Sequence, residues 1–195
     1  MAPVVQALHN DPDFESKVCV TAQHRDMLDQ VLEHFGIQPD HDLDLMRPNQ
    51  DLHTLTARIL TGMRTVLLAE KPDVVLVHGD TATAFATTLA AFYLQIPVAH
   101  VEAGLRTGDL YAPFPEESNR VLIDRIAQFF FAPTIRSAQN LYDEGQPKEN
   151  IWITGNTVID ALLWTRDRLP SFSDLNADFG SATEILSSDH RIILV

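Results

Sequence analysis

The sequence predicts an α/β protein organised as a doubly wound parallel sheet, and three observations predict it. Short apolar runs alternate along the chain with segments of helical period, at the spacing of βαβ units. The run VVLV (74–77) is apolar at every position, as a central parallel strand covered on both faces by helices should be. Directly after several of these runs come glycine, histidine and carboxylate residues, the pattern expected where a parallel sheet ends and a ligand site begins.

Taken in order, residues 1–9 (MAPVVQALH) put Val4, Val5 and Leu8 at helical spacing, with no strand before them. KVCVTA (17–22) reads as a strand and 26–35 as a helix. A long helical period covers 52–70, followed by the strand DVVLVHG (73–79) and a helix over 83–93. IPVAHVEA (96–103) is the next strand, with a helix over 117–127 after the irregular segment that follows it. QFFFAP (128–133) and NIWITG (150–155) are strands on either side of a helix at 135–144. The polar stretch 166–190 reads as a linker, and RIILV (191–195) as a strand with no helix after it. No internal repeat or low-complexity tract interrupts this order.

Composition narrows the function. Of the 195 residues, 45% are hydrophobic and 21% charged, a globular balance, and the formal net charge is −13. A surface that acidic repels phosphate backbones and anionic lipid, which argues against nucleic-acid and membrane-surface roles. The most apolar window, 82–94, is broken by Thr83, Thr87 and Thr88 and is too short to span a bilayer. The first residues lack the basic and apolar regions of a signal peptide, and the single cysteine, Cys19, cannot form a disulfide within the chain. The expectation is a soluble cytoplasmic protein.

The residues after the strands carry the candidate chemistry. His78, Gly79 and Asp80 follow VVLV; Glu102 and Gly104 follow IPVAHV; Thr154, Gly155 and Asn156 follow IWI. Asp80 reads either as a functional carboxylate or as the N-cap of the helix behind it. Glu102 has little structural reason to stand at the end of a buried strand. Glu116 either acts chemically, sits at the positive end of a helix, or pairs with Arg120 at i,i+4; Glu117 reads as the more solvated of the two. His78 and His100 read as hydrogen-bonded histidines or, with Asp80 and Glu102, as metal ligands. There is no Walker lysine loop, no Gly-x-Gly-x-x-Gly after a strand and no Gly-x-Ser-x-Gly elbow.

Four segments together resemble a known family: TAQHRDMLDQVL (21–32), KPDVVLVHGDTATAFA (71–86), IPVAHVEAGLRTGDLYAPFPEESNR (96–120) and ITGNTVIDALLW (153–164). They are similar to the non-hydrolysing UDP-N-acetylglucosamine 2-epimerases. The resemblance implies a Rossmann-like N-terminal domain of a glycosyltransferase-B-type enzyme with its active site between two domains. It implies that 1–168 is that domain without its first strand, and that 169–195 is a linker plus the first strand of an otherwise absent second domain. The family's Gly-Thr-Arg-Pro-Glu loop and the Gly-His-Arg-Arg-Glu stretch of its second domain do not occur here. This chain alone is therefore expected to be inactive.

The implied reaction interconverts UDP-N-acetylglucosamine and UDP-N-acetylmannosamine, a precursor of bacterial surface polysaccharides, without metal or other cofactor. By resemblance Asp80, Glu102 and Glu116 are its catalytic carboxyl groups, His78, Arg106, Arg120 and Asn156 are placed at the substrate, and the two arginines organise either those carboxylates or substrate oxygens. Gln23 and His24 match a region where some members bind a second UDP-sugar. The full-length enzyme is expected to be a homodimer. The alternatives are a non-catalytic fragment or sugar-nucleotide-binding domain, a hydrolysing 2-epimerase, and a metal-dependent phosphoesterase using His78, Asp80, His100 and Glu102.

Overall fold

The structure, a computed structural model, describes residues 1–21, 25–45 and 50–169. The expected contacts of Gln23 and His24, most of the expected linker, and the expected strand 191–195 lie outside the described residues. The chain divides into two compact units, Met1–Thr157 and Val158–Val195.

The first unit is a parallel α/β fold. Helix α1 (Ala2–His9) leads to β1 (Cys19–Val20), α2 (Arg25–Phe35) and β2 (His41–Asp42). Then follow α3 (Leu52–Glu70), β3 (Val75–His78), α4 (Ala82–Tyr93) and β4 (Val98–Val101). After an irregular segment come α5 (Glu116–Ile126), β5 (Phe129–Ala132), α6 (Ile135–Asp143) and β6 (Ile151–Ile153). Helix α7 (Thr157–Arg166) begins at the boundary and runs into the second unit, where the Arg168 guanidinium lies over the Trp164 ring at 4.1 Å.

All strand pairing is parallel, as expected, but among the described residues the strands fall into two hydrogen-bonded groups. β1 pairs with β2 through Cys19↔His41 and Val20↔Asp42. β3, β4, β5 and β6 form a second sheet in that spatial order. Its register sets Val75 opposite Val98, Ala99 opposite Phe129, and Phe130 opposite Ile151. Strands laid down in sequence order with right-handed crossovers place α4, α5 and α6 on one face of the sheet. α4 packs on β3 and β4, α5 on β4, and α6 on β5 and β6.

The helices form where their sequences say they should. Asp51 caps α3 by accepting from the Thr54 N–H at 2.7 Å, and the helix stops at Lys71 in the left-handed region. Leu55, Ile59, Met63, Val66 and Leu67 recur at helical spacing and are buried. Alanine and threonine fill the buried positions of α4, so the small side chains let α3 and α5 approach it on either side. In β5, Phe130 and Ala132 are buried while the alternate Phe129 and Phe131 are less so and meet Trp152 of β6.

β4 is buried at all four positions; VVLV, expected to be the central strand, instead gives β3 at the end of the four-stranded order, fully buried only at Val77. Strand β2, in the polar run HDLDL, was not legible from alternation, nor was the short 3₁₀ turn Lys148–Asn150 or helix α7. Cys19 is half-buried with its Sγ 3.7 Å from Met63 Sδ, and burial pushes its thiol up to about 11. Among the described residues, no helix is long and apolar enough to cross a membrane.

Candidate active site

The carboxyl ends of β3 and β4 lie side by side. His78 is paired with Val101, and the Gly79 N–H donates to Val101 O at 3.0 Å, so the two chains leave the sheet together. Both turn sharply there, with Gly79 at φ 66° and Glu102 at φ 70°. A left-handed backbone at a non-glycine residue costs about 1–3 kcal/mol and persists only where its surroundings impose it. Here Phe131 O accepts from both the Glu102 and Ala103 N–H groups, at 3.0 and 3.1 Å, and pins the turn to β5.

That turn aims the Glu102 side chain at the residues expected beside it. Glu102 Oε1 accepts from Asn156 Nδ2 at 3.1 Å, so Asn156 reaches across from the end of β6. Glu102 Oε2 stands 3.9 Å from His78 Nε2. A Cβ added to Gly79 would meet the same oxygen at an ordinary contact distance of 3.4 Å, so the glycine is there for the turn. His78 is largely buried, and burial holds its imidazole below the usual value of 6.5, against the opposing pull of the Glu102 charge.

Asp80 is not the helix cap. Thr81 takes that position, its Oγ1 accepting from the Ala84 N–H at 3.2 Å, which leaves the Asp80 carboxylate free. Arg120 claims it instead: Nη2 lies 2.8 Å from Asp80 Oδ2. Asn119, one residue earlier on α5, donates from Nδ2 to the Asp80 main-chain oxygen at 2.8 Å. Helix α5 thus grips Asp80 at side chain and backbone together. Burial raises the Asp80 carboxyl above the usual aspartate range; Arg120 opposes this, and the charges of Glu102 and Glu116 reinforce it.

Of the two glutamates at the start of α5, Glu117 departs from the role expected of it. Glu117, expected to be the more solvated, is 1% exposed. Its Oε1 accepts from the main-chain N–H groups of Thr107 and Gly108, both at 3.0 Å. Glu116 keeps a partly open side chain that, among the described residues, makes no hydrogen bond or ion pair. Its anticipated i,i+4 pairing with Arg120 does not form through the carboxylate; Arg120 Nε reaches only the Glu116 main-chain oxygen, at 3.4 Å.

Arg106, expected to contact substrate, is held by carboxylates of the protein itself. Its Nε and Nη2 bind the two oxygens of Glu144 at 2.6 and 2.8 Å, Nη2 also lies 2.8 Å from Asp124 Oδ2, and Nη1 donates to Leu105 O. Asp124 is fully buried and ties this arginine to His100: its Oδ1 is 2.6 Å from His100 Nδ1. His100 Nε2 faces Gly79 O at 2.9 Å, so neither ring nitrogen is free to ligate a metal. Asp124 Oδ2 also accepts from the Gly104 N–H at 3.1 Å. This network fixes the backbone on either side of Glu102, at His100 and at Gly104.

The structure therefore brings Asp80, Glu102, His78, Asn156 and Arg120 to one sheet edge, with Glu116 near enough for its charge to act on Asp80. Sequence reading missed Glu117 and Asp124. A signal existed for Glu117: consecutive helical residues point about 100° apart, so when one glutamate of a Glu-Glu pair faces the site its neighbour points elsewhere. Arg120 at i,i+3 then gave a reason for that neighbour to turn inward.

A family profile described as UDP-N-acetylglucosamine 2-epimerase matches residues 6–194. The UDP-N-acetylglucosamine 2-epimerase of Salmonella typhimurium is 58% identical over 195 residues, which is 100% of this chain and 52% of the relative. The Escherichia coli K12 enzyme of the same name is 57% identical over the same span, again 52% of its length. This chain thus spans about half the length of the curated relatives it matches. Among solved structures, the Neisseria meningitidis UDP-GlcNAc 2-epimerase bound to UDP-GlcNAc superposes with a TM-score of 0.89 at 50% identity, over 93% of this chain and 49% of that one. The Methanocaldococcus jannaschii UDP-GlcNAc 2-epimerase, in complex with UDP-GlcNAc and UDP, gives 0.81 at 36% identity, over 91% and 49%.

Proposed function

The chain belongs to the UDP-N-acetylglucosamine 2-epimerase family, and from that premise we propose that it supplies the carboxylate side of a site interconverting UDP-N-acetylglucosamine and UDP-N-acetylmannosamine. The observation that carries this reading is the placement of Asp80 and Glu102 at adjacent strand ends, with Asp80 relieved of capping duty by Thr81. In this reading Glu116 completes the set of carboxyl groups, and His78, Arg120 and Asn156 orient them or the sugar oxygens. The product would feed the assembly of a surface polysaccharide, and the working form is a homodimer with a two-domain cleft.

The chemistry explains why several carboxyl groups are needed. The C2–H of the sugar is not next to a carbonyl and is barely acidic. Breakage of the C1–O bond, with its electron pair leaving on UDP, develops positive charge at C1 and acidifies C2–H. A carboxylate takes the proton, the C2–H electrons form the C1=C2 bond, and a glucal-like alkene remains. UDP then adds back to C1 while a carboxyl on the opposite face protonates C2, so C2 is inverted. Proton transfer by a positioned group contributes roughly 10²–10⁴-fold. Asp80, raised by burial and by its carboxylate neighbours, is suited to hold a proton that an ordinary aspartate would release.

The test is turnover of UDP-N-acetylglucosamine by the full-length protein in heavy water, followed by proton NMR. UDP-N-acetylmannosamine carrying deuterium at C2 is expected. Product that keeps protium at C2 would overturn elimination and re-addition, and release of free N-acetylmannosamine would place the chain with hydrolysing enzymes instead.

A further inference from the structure

We infer that Glu117 is a positioning residue for the reaction proposed above, holding the Arg120 guanidinium between its own carboxylate and that of Asp80. The inference rests on that reading for its catalytic meaning, but its geometry stands separately. Arg120 is a two-ended bridge: Nη2 lies 2.8 Å from Asp80 Oδ2, and Nε lies 3.5 Å from Glu117 Oε2. Its side chain is 11% exposed, so water does little to weaken either contact.

Glu117 is arranged to stay put. Its Oε1 takes two main-chain N–H donors from the turn at Thr107 and Gly108. It sits in the first turn of α5, where the helix dipole favours a negative charge. Oε2, although buried, makes no hydrogen bond. A buried carboxylate oxygen left without a donor is costly unless a cation neutralises it, and the cation facing it is Arg120. Glu117 therefore does two things at once. It anchors the segment between β4 and α5 that delivers Glu116, and it draws part of the Arg120 charge away from Asp80.

The consequence is specific to Asp80. The groups facing that carboxyl are Arg120 and Glu116 from α5, Glu102 from the end of β4 and His78 from the end of β3, and Asn119 binds its main-chain oxygen. Arg120 is the cation of α5 among them. With Glu117 in place, Arg120 is shared, and Asp80 keeps the raised proton affinity that its burial gives it. With Glu117 neutral, Arg120 relaxes onto Asp80 and the Asp80 carboxyl titrates at lower pH. A Glu117 that only staples the turn would leave that titration where it was.

The experiment follows the Asp80 carboxyl by carbon-13 NMR in the full-length protein, with its signal assigned by Asp80→Asn. Glu117→Gln keeps the acceptor for Thr107 and Gly108 but places an amide toward Arg120; it should lower the Asp80 midpoint by about half a pH unit or more. In an Arg120→Met background the same substitution should shift it by less than half as much, since the coupling runs through the guanidinium. An Asp80 midpoint unmoved by Glu117→Gln, or moved equally in both backgrounds, overturns the inference. Where Glu117→Gln does not fold, Glu117→Asp, which withdraws the carboxylate from Arg120, is read in its place with the same two outcomes. Because the readout is not activity, its failure is distinct from failure of the proposed reaction, which the fate of C2–H decides.

Discussion

Asp80 and Thr81 are adjacent, yet the structure divides between them two tasks that one aspartate often performs. Thr81 Oγ1 accepts from the Ala84 N–H and caps α4, while the Asp80 carboxylate turns to Arg120 at 2.8 Å. A carboxylate beside a helix start with no capping duty, half-buried and facing a second carboxylate, has lost its ordinary structural reason to be there.

Stability and turnover should therefore separate at these two positions. Thr81→Ala removes the cap and is expected to cost about 1 kcal/mol of stability. Asp80→Asn should change stability much less, because it removes no cap and relieves a buried charge. On turnover the order reverses in the full-length protein. Asp80→Asn, Glu102→Gln and Glu116→Gln should each lower kcat at least tenfold, an effect roughly in the range of a lost general acid or base. Chemical denaturation beside steady-state assays checks both. Near-normal turnover in any one of the three removes that residue from the proposed set.

The two glycines that shape the site should differ in how badly they tolerate a methyl group. Gly79→Ala meets a left-handed backbone, at about 1–2 kcal/mol, and an oxygen of Glu102 at 3.4 Å that can move aside. Gly104→Ala adds to a similar backbone cost a clash with the main-chain oxygen of Ser137 on α6, which cannot move aside cheaply. Overpacking of that kind costs about 1–3 kcal/mol or more. Urea midpoints should fall further for Gly104→Ala than for Gly79→Ala, while Gly79→Ala should show the larger loss of turnover relative to its loss of stability. Equal midpoints would mean that α6 yields at Ser137.

Most of this frame was legible in the sequence because strands and helices announce themselves by period. The helix at 52–70 is legible to the residue, and the other expected helices within a residue or so at each end, while α7 is not. The strands were shorter than their apolar runs, since a run continues into the turn that leaves the sheet. Asp80 and Glu102 were legible because position after a buried strand is a one-dimensional property. The pairing of Arg106 was not legible for the opposite reason. Its partners Asp124 and Glu144 are distant in sequence, and nothing local reports an arginine held by one fully buried and one partly buried carboxylate. The helical period hints at the inward turn of Glu117, but its Thr107 and Gly108 amide partners lie outside the helix and no periodicity reports them.

The last expectation concerns pH. Burial lowers the His78 imidazole from its usual 6.5, with Glu102 opposing. The unfolded chain, whose His78 is solvated, therefore takes up a proton near 6.5, while the folded chain does so only at lower pH. Within that window the unfolded state binds more protons, so stability falls as pH falls, and the loss is complete once pH drops below the folded value. Above 6.5 both states are neutral and His78 adds no pH dependence. His78→Gln, which cannot protonate, should remove that part of the slope. The difference in urea midpoint between pH 8 and pH 5.5 is expected to be smaller in the variant than in the wild type. An unchanged slope would mean that Glu102 cancels the effect of burial, and a steeper one that Glu102 outweighs it and holds His78 as a cation in the folded protein.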